Sequence, residues 1–106
     1  MEHENLDDPT TLWIKGTIPD RIETKSYIRK TANAILATHQ NHGIVHMRCV
    51  GPPSLNNAIK SIIVATGDAT TKGVELVMTA CFKTVYFGDD KENPKTAIVL
   101  KIFERE

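Results

Sequence analysis

Across the Gly-Pro-Pro corner inside Ile44 to Gly67, IVHMRCVGPPSLNNAIKSIIVATG, the apolar period changes from two residues to three-and-four. A chain carrying that switch has a strand running directly into an amphipathic helix, and the remaining segments must pack around the pair. Val45, Met47 and Cys49 alternate with His46, Arg48 and Val50, the pattern of a strand whose two faces meet different surroundings. Gly51-Pro52-Pro53 breaks the strand. Ser54 is a suitable N-cap, and Leu55, Ala58, Ile59, Ile62, Ile63 and Thr66 line one side of the helix that follows. Gly67 is its expected stop. Asn56, Asn57, Lys60 and Ser61 make the opposite, polar face. That face begins where free N–H groups and the helix dipole favour an anion, although simple solvation also accounts for it.

The other segments extend the pattern on both sides. Leu12 to Ile18 reads as a first strand, followed by a polar connection from Pro19-Asp20 to about Thr24. Ser26 to about Asn41 is the first helix, with Ile28, Ala32, Ile35 and Leu36 inward and Arg29, Lys30, Asn33, Ala37 and Gln40 outward. Thr24 or Ser26 is its expected cap and His42-Gly43 its end. In Val74 to Phe87, a long strand, Val74, Leu76, Met78, Ala80 and Phe82 share one face and Glu75, Val77, Thr79, Cys81 and Lys83 the other. Gly88 to Pro94 reads as a hairpin loop and Thr96 to Phe103 as the returning strand. The expected fold class is α/β, a two-layer β-α-β-α-β-β sandwich with both helices on one face of a four-stranded mixed sheet.

Residues 1–10 hold Glu2, Glu4, Asp7 and Asp8 with no Lys or Arg, and are expected to be a disordered acidic arm ahead of a single domain over residues 11–106. The formal net charge is zero, yet residues 11–103 hold twelve Lys and Arg against seven Asp and Glu, a net of +5. That excess favours polyanion partners. Cys49 and Cys81 each sit in an apolar strand pattern and read as buried thiols of a reducing compartment. Cytoplasmic residence follows, with nucleoid and nucleus also open, and neither a membrane span nor a secretory signal is expected.

His39, His42 and His46 do not stand at a recognised metal-ligand spacing with carboxylate or cysteine partners, so no metal site and no cofactor are expected. Nucleophile motifs, a P-loop and a Gly-x-Gly-x-x-Gly fingerprint are absent from the sequence, and the expectation is a protein without enzymatic activity. Lys25, Arg29 and Lys30 crowd the expected first turn of the first helix, where the dipole disfavours cations. An external anion offsets that cost; snorkelling over apolar neighbours is the other explanation. Tyr27 lies among these cations, as in surfaces that stack bases, and equally as a side chain covering the core edge would. Because βα connections of this topology emerge at one edge of the sheet, Lys25, Tyr27, Arg29, Lys30, Asn56, Asn57 and Lys60 are the candidate nucleic-acid-binding residues.

Lys25-Ser26, Thr31-Ala32-Asn33-Ala34-Ile35, Ser54-Leu55-Asn56-Asn57-Ala58-Ile59-Lys60-Ser61, Gly73-Val74-Glu75-Leu76 and Thr96-Ala97-Ile98-Val99-Leu100-Lys101 together resemble bacterial stage V sporulation protein S. That family is similar in turn to the Alba proteins, whose domain of this topology dimerises and binds DNA or RNA. The resemblance implies a homodimer or higher homo-oligomer and a nucleic-acid partner, bound with little sequence specificity in a regulatory role. It places Lys25 at the lysine opening the first helix, and Asn56, Asn57 and Lys60 in the motif at the start of the second. Alba proteins tend to carry an arginine where this chain has Pro52 and Pro53, and a basic hairpin where it has Gly88-Asp89-Asp90-Lys91-Glu92. Binding is therefore expected at the helix starts. Both faces of the third strand are apolar, and two helices cannot cover Val77 and Cys81 as well, so an exposed apolar face that marks a dimer interface is expected there. The competing reading is a protein-interaction or scaffold module of the same fold.

Overall fold

The computed structural model describes residues 8–86 and 93–106, so most of the expected acidic arm and of the acidic hairpin, Lys91 included, lies outside the described residues. Six elements follow in the expected order: β1 Thr11–Trp13, α1 Arg21–His42, β2 Ile44–Cys49, α2 Pro52–Thr70, β3 Leu76–Val85 and β4 Lys95–Glu104. The sheet order is β1-β2-β4-β3. β1 runs parallel to β2, with α1 crossing between them, while β4 is antiparallel to both β2 and β3. β2 and β3 are therefore parallel to one another, and α2 makes that crossing. The sheet is mixed, as the pattern of periods requires.

The core lies between one sheet face and both helices. Val45, Met47 and Cys49 of β2 pair with Ile102, Leu100 and Ile98 of β4, so their side chains share a face. Ala32 and Ile35 of α1 and Ala58, Ile62, Ala65 and Ala69 of α2 pack against that face in a single buried cluster. Alanine at three inward positions of α2, Ala58, Ala65 and Ala69, lets the helix approach closely. The helix-free face carries the pairs Arg48 over Trp13, at 5.2 Å from the ring centre, and Lys101 over Phe103, at 5.8 Å.

Element boundaries depart from the sequence reading for identifiable reasons. α1 starts at Arg21, five residues early, because the Asp20 carboxylate accepts from the N–H groups of Ile22 and Glu23 at 2.7 and 3.4 Å. It ends as expected at Gly43, which has φ of 78° and donates to the carbonyl of His39 at 2.7 Å. α2 starts at Pro52, since prolines in the first turn need no N–H partner and arrive with helical φ. Gly51 takes the cap position with φ of 88°, a corner closed to a bulkier residue without strain. Ser54 therefore sits inside the helix, where its hydroxyl donates back to the carbonyls of Val50 and Gly51, both at 2.9 Å. Gly67 does not end α2 either; its φ is not positive, and the chain turns at Gly73 instead.

β1 is shorter than the expected Leu12 to Ile18. Beyond Ile14, which still donates to the carbonyl of Arg48 at 3.1 Å, the chain leaves the sheet toward the start of α2. β3 has the expected alternation of faces, but the sheet is wider than the helix layer. Residues 78 to 84 are all exposed, including Met78 and Phe82 on the helix-bearing side. Cys81 is exposed as well, so only Cys49 is a buried thiol. Among the described residues no helix is long and apolar enough to cross a membrane.

Candidate nucleic-acid interface

Asn57 organises this end of the molecule. Its amide Nδ2 donates to the carbonyl of Gly16 at 2.8 Å and to that of Lys15 at 3.1 Å, so the β1–α1 connection is held against the first turns of α2. Asn57 is buried at 6% exposure, which corrects its expected place on the outward polar face. Ser61, also expected outside, is fully buried and donates to the carbonyl of Asn57 at 2.8 Å. Both polar side chains are internal because each finds a carbonyl to bond. The connection is secured from the other side by Tyr27, whose hydroxyl accepts from the N–H of Lys15 at 2.8 Å. The Lys15 ammonium lies 5.8 Å from the Tyr27 ring centre. Tyr27 is thus half-buried and engaged with Lys15, and it lines a groove of about 330 Å³ with Thr11 to Ile14 and Lys30.

The cations of α1 are not in its first turn. Because the helix begins at Arg21, Lys25 falls in the second turn and Arg29 and Lys30 in the third, where the dipole penalty has faded. The expected dipole cost, which an external anion would offset, is therefore absent. Lys25 and Lys30 are exposed. Arg29 donates to Asn33 Oδ1 at 2.8 Å and forms an ion pair with Asp68 near the far end of α2, tying the helices together. On α2, Asn56 and Lys60 are exposed on the outward face one turn apart.

Neither helix N-terminus is an open anion cradle. Pro52 and Pro53 have no N–H to offer, Ser54 is buried at 1% exposure, and at α1 the Asp20 carboxylate already occupies the first-turn donors. What remains is charge on side chains. From Glu23 to Asp68 the chain contains no intervening aspartate or glutamate, while Lys25, Arg29, Lys30 and Lys60 all fall within that span on the two helices. Asp68, the first acid after it, is engaged by Arg29. The structure adds Lys15, expected within the first strand; the glycine that follows it, Gly16, is the sequence signal that the strand stops short, and it lies next to Pro53 and Ser54. Among the described residues no group of three or more His, Cys, Asp or Glu is placed to hold a metal ion.

The family model for stage V sporulation protein S matches residues 21–105. The chain belongs to the stage V sporulation protein S family. The matched span begins at the first residue of α1 and takes in both helices and β2, β3 and β4. Of the architecture that the family resemblance implied, the four-stranded mixed sheet and the two helices are present in the expected order.

Proposed function

We propose that this member of the stage V sporulation protein S family is a non-enzymatic nucleic-acid-binding protein of low sequence specificity. The observation that carries the reading is the acid-free span between Glu23 and Asp68, which gives the helix layer the exposed cations Lys25, Lys30 and Lys60 with no carboxylate among them. Exposed lysines contact phosphates as point charges and read no base edges, hence the low specificity. Asn57 and Tyr27 act as positioning residues: they hold Lys15 beside α2 and do not need to touch the ligand. Asn56, exposed one turn before Lys60, supplies a polar contact to phosphate or sugar.

Titrating labelled single-stranded RNA and duplex DNA at several salt concentrations tests the reading. Phosphate contacts give log–log slopes of about −0.9 per contact on duplex and about −0.7 on single strands. Salt-insensitive binding, or none, replaces this function with a protein-interaction module of the same fold.

A further inference from the structure

β1 stands at one end of the sheet, with one edge on β2 and the other turned outward. His46 donates its N–H to the carbonyl of Thr10 at 2.7 Å and Ile14 donates to that of Arg48 at 3.1 Å, so even-numbered residues here aim their backbone groups at β2. Those of Thr11 and Trp13 are consequently aimed outward. The N–H of Thr11 donates to the carbonyl of Asp8 at 3.1 Å, closing a turn with aspartate first and proline second, the residues such a turn favours. Asp8 Oδ1 locks it by accepting from the N–H and the hydroxyl of Thr10, both at 2.8 Å. A turn so placed reverses the chain direction on the outer side of β1.

Cations flank that edge on both faces of the sheet. On the helix-free side the Arg48 guanidinium stands over the Trp13 ring, with Nε and Nη1 shielded from solvent. Burial lowers the pKa of this guanidinium, and a shielded charge is stable beside an opposite one. On the helix-bearing side Lys30 lines the groove of about 330 Å³ that runs along Thr11 to Ile14. The chain ahead of Asp8 carries the complementary sign: residues 1–7 hold Glu2, Glu4 and Asp7 with no Lys or Arg.

We infer that the outer edge of β1 is a binding surface for an acidic extended segment, and that its occupant is residues 1–7 of the same chain. Continuing the Asp8–Thr11 turn as a hairpin puts Asp7 opposite Leu12 and Leu6 opposite Trp13, and opposite residues share a face. Leu12 pairs with the core residue Met47, so Asp7 falls on the groove beside Lys30. Trp13 pairs with Arg48 on the helix-free side, so Leu6 covers the indole and Glu4, on that same side, comes within reach of the guanidinium. Asp7 and Glu4 each meet a cation. The ladder also has an end: the Lys15 N–H is held by the Tyr27 hydroxyl at 2.8 Å, so backbone pairing stops at Leu6 and Trp13. Seven extended residues span about 23 Å against about 13 Å from Thr11 to Lys15, so the arm is long enough to cover the edge. It closes β1 to strand addition by other chains. The arm that composition alone reads as disordered thus has a fixed place, one that does not depend on nucleic-acid binding.

Nuclear magnetic resonance on the full chain tests it without nucleic acid. With a nitroxide on His3→Cys in a Cys81→Ser background, where the other thiol, Cys49, is buried, the amides of Thr11 and Trp13 and the Trp13 indole should broaden. Gly73, past the far end of α2, should not. The Trp13 amide, aimed away from β2, should exchange slowly. Glu4→Lys combined with Asp7→Lys should leave the circular dichroism spectrum unchanged, abolish the broadening and speed Trp13 exchange by about tenfold or more. Glu104→Lys combined with Glu106→Lys, the same charge change at the end of β4, should do neither. Trp13 signals indifferent to the nitroxide overturn the inference. So does a Trp13 amide that exchanges equally fast in the parent and the Glu4 and Asp7 variant, or broadening that arises only when nitroxide and isotope are on different chains, which puts the arm on a partner subunit.

Discussion

Asn57 on α2 reaches the carbonyl of Gly16, 41 residues earlier, and binds it at 2.8 Å while a second bond from the same nitrogen reaches Lys15. One buried amide thus decides where β1 stops and where Lys15 stands. Asn57→Ala leaves two carbonyls without that partner, and stability should fall by about 1–3 kcal/mol. Urea denaturation checks the loss. At a urea-free temperature where the variant remains folded, its nucleic-acid affinity should drop less than that of Lys60→Glu, as befits a positioning residue. Equal losses in both variants, with no change in stability, would instead make Asn57 a contact residue.

Arg29 and Asp68 have about half-exposed side chains, so their ion pair is worth at most about 1 kcal/mol. Asp68→Asn removes a negative charge next to the helix layer and releases a guanidinium. Nucleic-acid affinity should therefore rise at low salt, by several-fold at most, and the salt slope should steepen by up to about one contact. Fluorescence anisotropy at two ionic strengths measures both. Lower affinity in Asp68→Asn would show that the pair is needed to hold the binding surface in place.

The two cysteines should behave differently. Burial pushes the Cys49 thiol up to about 11 from its ordinary 9.0, whereas Cys81 is exposed. A disulfide reagent should label one thiol per native chain and two in denaturant. The linkage has a definite sign. Below pH 9.0 Cys49 is a neutral thiol in both states; between 9.0 and about 11 the unfolded chain loses this proton first, so stability declines. Thermal denaturation of the parent relative to Cys49→Ala should show the decline in that window and no difference in pH dependence below it.

Periodicity is a local property, and what it encodes was legible: the alternation in β2, the Ala32 and Ile35 stripe of α1, and the order of the six elements. Helix starts were not, because Asp20 and Gly51 are selected by their own cap geometry and not by the apolar stripe behind them. Polar residues were misplaced where a distant carbonyl receives them, as with Asn57 and Ser61, since such a partner leaves no mark on nearby sequence. Met78 and Phe82 follow the core-facing period yet are exposed, because sheet width relative to helix coverage is a tertiary quantity. Of the candidate site, Lys25, Lys30, Asn56 and Lys60 are exposed as read, Arg29 is bound to Asp68, and Tyr27 is bound to Lys15.

The salt slope of binding for Lys25→Glu and Lys60→Glu tests the proposal that exposed lysines of the helix layer hold nucleic acid by its phosphates. Both side chains are exposed, so the folds should be unchanged within about 0.5 kcal/mol. Each variant should bind on the order of tenfold more weakly, a change of about 1.4 kcal/mol, by similar factors for unrelated sequences. The log–log slope should shrink by about one contact, while Lys95→Glu at the start of β4 should change little. Parent-like affinity and slope in both helix variants, alongside a loss in Lys95→Glu, would contradict the claim and move the binding surface to the strands.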